Sequence, residues 1–334
     1  MKGVFITDAE KELVGAVYSG RVREAIGREI ELYPDIVGGE EVRARRGDWK
    51  GTEYIFSTWG MPSLSEEEIA ADFPKLKAVF YAAGSVQEFA RPFLRAGVKV
   101  VSAWAANAVP VAEYTVAQIV LANKGILRGI AMMKTGGYDS AYRYALSFPG
   151  TYGGAVGLLG CGMVGSLVAE MLRAYRLEVL AFDPFLSGER AKELGVVRTP
   201  LEEIFAECQT ISNHLANNAR TVGMLDYKLF GRMKDNAAFI NTGRGAQVVE
   251  ADLIRAMREC PGRTALLDVT WPEPPEPDSE LYTLDNVFLT PHIAGCISGE
   301  RARLGDLIAE EFAALRQGRS LRYEVSLPML ETMA

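Results

Sequence analysis

Two doubly wound parallel-sheet α/β domains, one inserted into the other, are what this sequence predicts. Three observations carry that expectation. Short apolar runs alternate with longer amphipathic segments, the pattern of parallel strands joined by crossover helices. The runs fall into two series, divided by a long apolar helical pattern and an aromatic-rich stretch. The length of 334 residues suits about two domains.

In order along the chain, "GVFIT" opens as a strand, and "EYIFST" (53–58), "LKAVFYAA" (76–83) and "VKVVSA" (98–103) follow. "SEEEIAADF" lies between two of them as a helix with acids in its first turn, where the helix dipole favours them. A long helix is expected over about 111–127. "TGGYDSAYRYALSFPGTYGG" reads as an irregular arm, its aromatics marking either a subunit contact or an ordered surface loop. The second series is "AVGLLG", "LEVLAFD", "CQTISNHL", "NAAFINTG", "TALLDVT" and "NVFLTPH". The amphipathic "RARLGDLIAEEFAALRQG" is expected to return to the first domain. The expected boundaries are 1–103 with 300–334 for one domain and 104–299 for the other.

The composition, 49% hydrophobic and 24% charged, is that of a globular chain. A net charge of -7 argues against nucleic acid or an anionic membrane as partner. The four cysteines, Cys161, Cys208, Cys260 and Cys296, are far apart and form no CxxC pair or zinc spacing. They read as reduced thiols of a cytoplasmic protein, and no metal site is expected. The N-terminus turns acidic too early for a signal peptide. The most apolar stretch, "VAEYTVAQIVLAN", is interrupted by Glu113 and Gln118 and reads as a buried helix rather than a membrane span.

"AVGLLGCGMVGSLVAEML" places Gly160, Gly162 and Gly165 as G-x-G-x-x-G between a strand and a helix, the context that a dinucleotide turn requires. Gly160 permits the tight turn, Gly162 admits a pyrophosphate, and Gly165 lets helix and strand pack closely. The free N–H groups at the helix start, at Met163 and Val164, complete a phosphate site. Asp183 ends the next strand at the offset of a ribose-binding acid. Its charge would repel a 2′-phosphate, so NAD is expected over NADP.

Three polar groups follow later strands of the same series: Arg244 after "AAFINTG", Glu273 after "ALLDVTWP" and His292 after "VFLTP". In an open parallel sheet, ligands bind outside the carboxyl ends of the strands. The ordered motifs "GLLGCGMVG", "MKDNAAFINTGRG", "LDVTWPEP" and "LTPHIAG" give the chain a plain resemblance to the D-isomer-specific 2-hydroxyacid dehydrogenases. The resemblance runs from about residue 82 to 295 and implies two Rossmann/flavodoxin-like domains, the cofactor domain inserted into the substrate domain.

The resemblance implies Arg244, Glu273 and His292 as the catalytic residues. It implies NAD contacts from Asp268, Thr242, Gly243 and Gly295, and from the loop residues His214 and Asn218. His214 is as readily a structural residue. The family's proline and threonine after that histidine are replaced here by Ala216 and Asn218, and its arginine after the second loop glycine by Met163. For the substrate carboxylate it implies the backbone of Ala83, Gly84, Ser85 and Val86, with Asn107 nearby, although this stretch lacks the family's usual aspartate. Glu113 matches an acid of the linking helix.

The chemistry suits these residue types. Reduction of a 2-keto acid needs a proton donor close to neutral pKa, a carboxylate to hold it, and a cation for the substrate carboxylate and keto oxygen. Trp59 and Trp104 either shape a substrate pocket or pack. No Lys or Arg cluster lies beside the substrate loops, which disfavours a phosphorylated substrate. The expected function is therefore an NAD-dependent D-2-hydroxyacid dehydrogenase, with a homodimer through the cofactor domain and the 130–153 arm. The alternative is a dinucleotide-sensing corepressor on the same fold. A formate dehydrogenase is disfavoured, since that chemistry generates no alkoxide and its enzymes pair the histidine with Gln.

Overall fold

The computed structural model describes residues 1–333. Its strands are β1 (Lys2–Ile6), β2 (Glu31–Val37), β3 (Thr52–Ser57), β4 (Ala78–Tyr81), β5 (Lys99–Ser102), β6 (Tyr152–Leu159), β7 (Arg176–Phe182), β8 (Val197–Arg198), β9 (Thr210–Asn213), β10 (Ala238–Asn241), β11 (Thr264–Leu267), β12 (Val287–Leu289) and β13 (Glu324–Val325). The chain divides into two compact units, Met1–Asn107 together with the stretch from Cys296 onward, and Ala108–Gly295.

The smaller unit holds a sheet in the order β13-β5-β4-β3-β1-β2. All pairings are parallel except β13 with β5. The order 2-1-3-4-5 is one of the two common doubly wound arrangements. Its central strands are buried on both faces, which is why they read as continuous apolar runs rather than alternating ones. The side chains still alternate. Val4, Ile6, Ile55 and Val79 join one core with Trp49 and Phe93, while Phe5, Tyr54, Phe56 and Phe80 join another with Tyr18. The helix Ala302–Arg316 packs Leu304, Ile308 and Phe312 into that second core.

The strand β2 has no counterpart in the sequence reading. It contains Pro34, lies at the sheet edge and is buried only at Val37. An edge strand tolerates a missing N–H and lacks the apolar run that would betray it. The strand β4 is shorter than the apolar stretch 76–83, and Ala82 and Ala83 follow it fully buried.

The larger unit holds a sheet in the order β12-β11-β10-β9-β6-β7-β8. All pairings are parallel, and β6 pairs with both β7 and β9. The chain order therefore reverses at β6, the switch point where such sheets bind ligands.

Two helical expectations are corrected. The long helix is Trp104–Ala122, not 111–127. It runs through Pro110, whose missing N–H leaves the Ala106 carbonyl without its intrahelical donor. Cys296 Sγ lies 3.9 Å from that oxygen. The helix stops short because Gly125 takes a left-handed φ of 62°. By length and hydropathy it is apolar enough to cross a membrane, but Ala112, Val116 and Ile119 lie in the core of the larger unit. Of the segment 135–154 read as irregular, Gly137–Ala145 is instead helical and its last residues open β6, and a second helix, Ile126–Thr135, leads into it. Gly137, with φ 73°, turns the chain between them. Tyr138 and Tyr142 are exposed and stack on each other, ring centroids 5.7 Å apart.

Candidate active site

The glycine turn follows β6. Gly160 has φ 90°, and a Cβ there would lie 2.7 Å from the His214 carbonyl oxygen. A Cβ on Gly165 would lie 2.0 Å from the Gly160 carbonyl oxygen. Neither position admits a side chain. Gly162, by contrast, faces open space. It caps the helix Met163–Leu172, whose unpaired N–H groups and dipole favour a phosphate. Asp183 follows β7. Its Oδ2 accepts the Cys161 N–H at 2.7 Å and its Oδ1 the Phe185 N–H at 2.8 Å. An ionised carboxylate has about four acceptor positions, so capacity remains for two ribose hydroxyls. Burial, with the Asp183 charge second, pushes the Cys161 thiol up to about 12, so it is no nucleophile.

The loop after β9 carries His214. Its Nε2 meets Ser212 Oγ at 2.9 Å and its Nδ1 lies 3.5 Å from Thr242 Oγ1. Burial pushes its pKa down to about 3, so the ring is neutral. Asn218 shapes its own turn, its Oδ1 accepting the Arg220 N–H.

The loop after β10 presents Thr242, Gly243 and Arg244. Residues that the sequence reading passed over build this loop. Asn213, Asn241 and Gln247 are buried, and their amides interlock: Asn213 Nδ2 donates to both Asn241 Oδ1 and Gln247 Oε1. Asn241 Oδ1 then accepts the Gly243 N–H, and its Nδ2 donates to the Arg244 carbonyl. A Cβ on Gly245 would lie 1.9 Å from the carbonyl carbon of Thr270. Only glycine lets this loop lie against the loop after β11. Burial lowers the Arg244 pKa, opposed by the negative charge of Glu273. The guanidinium keeps its proton throughout.

The loops after β11 and β12 meet at Asp268. This buried carboxylate accepts from Thr290 Oγ1 at 2.6 Å, from the Ile293 N–H at 2.8 Å and from the Ala294 N–H at 2.9 Å. Its backbone carbonyl accepts the His292 N–H at 3.0 Å. Asp268 thus grips the histidine loop on both sides of His292. The grip matters because His292 has φ 53°. A non-glycine residue in this left-handed region is strained by about 1–2 kcal/mol and persists only where its surroundings hold it.

His292 Nδ1 lies 2.6 Å from Glu273 Oε1, and the two side chains are 48% and 39% exposed. An ionised carboxylate only accepts, so Nδ1 carries the proton and Nε2 is left to face a ligand. The structure therefore brings Glu273 and His292 into direct contact and sets Arg244 in electrostatic range of Glu273. Gly295 closes the same loop, half-buried.

In the smaller unit, β4 leads into Ala83, Gly84, Ser85 and Val86. Ser102 Oγ donates to the carbonyls of both Ala83 and Gly84, at 2.9 and 2.6 Å. Peptide planarity then points the N–H groups of Gly84 and Ser85 the opposite way. The N–H groups of residues 83–86 find no acceptor among the described residues. Asn107 Nδ2 lies 3.7 Å from where a Gly84 Cβ would stand, and Asn107 Oδ1 accepts the Cys296 N–H. Both tryptophans pack: Trp59 against the two cores of this unit, and Trp104 edge-on to Tyr323 at 5.6 Å.

A parallel sheet with a glycine turn at its switch point and an acid at the next strand end defines a dinucleotide-binding protein. Residues 116–294 match the D-isomer specific 2-hydroxyacid dehydrogenase, NAD binding domain. The chain belongs to the D-isomer specific 2-hydroxyacid dehydrogenase family, and NAD is the cofactor of its larger unit.

Among relatives, it is 34% identical over 315 residues to D-3-phosphoglycerate dehydrogenase of Archaeoglobus fulgidus, covering 94% of this chain and 55% of that protein. It is 33% identical over 231 residues to D-3-phosphoglycerate dehydrogenase of Rattus norvegicus, covering 68% and 42%. The chain thus spans about half the length of these relatives. Two solved structures share the fold. A phosphoglycerate oxidoreductase from Rhizobium etli has TM-score 0.81 at 20% identity, covering 98% of this chain and 99% of that one. The NAD complexed form of a D-isomer specific 2-hydroxyacid dehydrogenase from Lactobacillus delbrueckii ssp. bulgaricus has TM-score 0.77 at 20% identity, covering 98% and 100%.

Proposed function

We propose that this chain is an NAD-dependent D-2-hydroxyacid dehydrogenase, with Arg244, Glu273 and His292 as its catalytic residues. The observation that carries the reading is the 2.6 Å contact of His292 Nδ1 with Glu273 Oε1. NAD, when bound, supplies or takes the hydride. The pyrophosphate would lie on the helix start at Gly162, Met163 and Val164, and the ribose on Asp183. The open space at Gly162 and the spare acceptor capacity of Asp183 fit that placement.

In the reducing direction, protonated His292 gives its Nε2 proton to the oxygen that becomes the hydroxyl. Glu273 fixes the ring orientation and stabilises the imidazolium. Arg244 holds the substrate carboxylate and polarises the keto group, and its partly desolvated guanidinium strengthens both interactions. In oxidation, the neutral ring takes the proton back. Thr242, Gly243, Asp268, His214, Asn218 and Gly295 line the cofactor. The N–H groups of Ala83, Gly84, Ser85 and Val86 suit a carboxylate, with Asn107 beside them.

The substrate proposed is an unphosphorylated 2-keto acid. The loops 58–64 and 82–89 of the smaller unit contain no Lys or Arg to meet a phosphate. We further propose a cytoplasmic homodimer formed by the cofactor domain and the 130–153 arm. Exposed Ile130, Met133, Tyr138, Tyr142, Leu146 and Tyr152 support that interface.

The test is NADH consumption with a panel of 2-keto acids that includes 3-phosphohydroxypyruvate. Reduction of unphosphorylated members is expected. Tight NADH binding with no reduction of any member would mean a dinucleotide-sensing protein instead. Light scattering decides the oligomer.

A further inference from the structure

Tyr114 and Thr115 are adjacent on the helix Trp104–Ala122, and each reaches a different strand-end loop of the larger unit. Thr115 Oγ1 meets Thr242 Oγ1 at 3.2 Å, in the loop after β10. Tyr114 Oη meets Thr290 Oγ1 at 3.1 Å, in the loop after β12. The direction of the second bond follows from hydroxyl chemistry. Thr290 has a single hydroxyl proton, and at 2.6 Å from Asp268 Oδ1 that proton is donated to the carboxylate. Tyr114 is therefore the donor to Thr290. The hydrogen bonds run in one sense, from Tyr114 through Thr290 to Asp268. They end on the carboxylate that also holds the Ile293 and Ala294 N–H groups.

We propose that Tyr114 is a positioning residue for His292, acting through Thr290 and Asp268. The inference rests on the reading of His292 as the acid/base. A hydroxyl that donates becomes a better donor when it also accepts. The Tyr114 contact thus strengthens the Thr290 hold on Asp268 and orients the carboxylate toward the backbone it grips. That backbone includes the strained φ of His292, so its geometry depends on every donor around Asp268. Thr115 is fully buried, and its own bond keeps this turn of the helix in place while Tyr114 reaches outward.

The experiment compares Tyr114→Phe, Thr290→Val, Thr290→Ser and the double variant Tyr114→Phe/Thr290→Val in the full chain with NAD(H). Loss of one neutral hydrogen bond corresponds to a rate factor of about three to ten. Tyr114→Phe should lower kcat by that factor and leave KM and NADH affinity unchanged. Thr290→Val should do the same or more, Thr290→Ser should recover most of the rate, and the double variant should be no slower than Thr290→Val alone.

Amide hydrogen exchange over residues 290–296 supplies a readout that needs no turnover, and Tyr114→Phe should speed it. An unchanged kcat with unchanged exchange would overturn the relay, as would losses that multiply in the double variant. If the wild-type protein reduces no 2-keto acid, the catalytic reading falls, and the exchange measurement still decides whether Tyr114 holds the loop.

Discussion

The chain has two histidines, and both stand just beyond a strand of the same sheet, His214 after β9 and His292 after β12. Their surroundings differ. His214 is held between the hydroxyls of Ser212 and Thr242 and is desolvated, which keeps it neutral. His292 is half-exposed and touches the Glu273 carboxylate. The residue type and the strand end do not make an acid. Under the proposed function, a neighbouring carboxylate and access to water are what mark His292 rather than His214 as the acid.

The largest effect that tests this contrast is expected for His292→Ala. The rate of 2-keto acid reduction should fall by about 10²–10⁴, the usual worth of a general acid. A loss below tenfold, measured by steady-state kinetics with saturating NADH, would sink the assignment. Glu273→Gln comes next. It removes a charge-assisted hydrogen bond, so kcat should fall by about ten- to a hundredfold with NADH affinity unchanged. An equal fall from His214→Gln would erase the distinction drawn between the two rings.

For cofactor choice, Asp183→Ser should bring NADPH affinity closer to that of NADH. Equal affinities already in the wild type would show that Asp183 does not discriminate.

Another effect concerns stability against pH. The folded pKa of His214 lies near 3, below the ordinary 6.5. The unfolded chain therefore binds a proton at His214 as pH falls through 6.5, while the folded one resists until about 3. This residue costs stability progressively across that window and nothing at neutral pH. His214→Gln should be relatively more stable than wild type at pH 4, as read by urea midpoints. Parallel curves for the two proteins would argue that the ring is not desolvated.

Much of this organisation was legible in the residues. The central strands of both sheets are buried on both faces and announce themselves as short apolar runs. The glycine turn and Asp183 follow such a run directly, and Arg244, Glu273 and His292 lie in the loops just beyond one. What stayed hidden has physical reasons. The strand β2 is an edge with a proline and no apolar run. The helix through Pro110 defies a local breaker signal because the residues on either side pack regardless. The helix Ile126–Thr135 leaves Ile126, Ile130 and Met133 exposed, and the helix Gly137–Ala145 buries only Ala141, so neither shows an apolar face matched to a core. The amide lattice joins Asn213 and Asn241, at the ends of β9 and β10, to Gln247 in the loop beyond, and no local sequence pattern announces it. Asp268 was assigned by resemblance to the nicotinamide, yet three of its acceptor positions serve the histidine loop.

The left-handed backbone at His292 has a consequence for how this position tolerates replacement. Glycine adopts that conformation without strain and alanine does not. The two smallest residues should therefore give equally inactive proteins of unequal robustness, with His292→Gly more resistant to urea than His292→Ala by roughly 0.5–1 kcal/mol. Robustness and activity pull in opposite directions at this one residue. A search for hardier variants that ignored turnover would drift toward glycine here and lose the proposed acid.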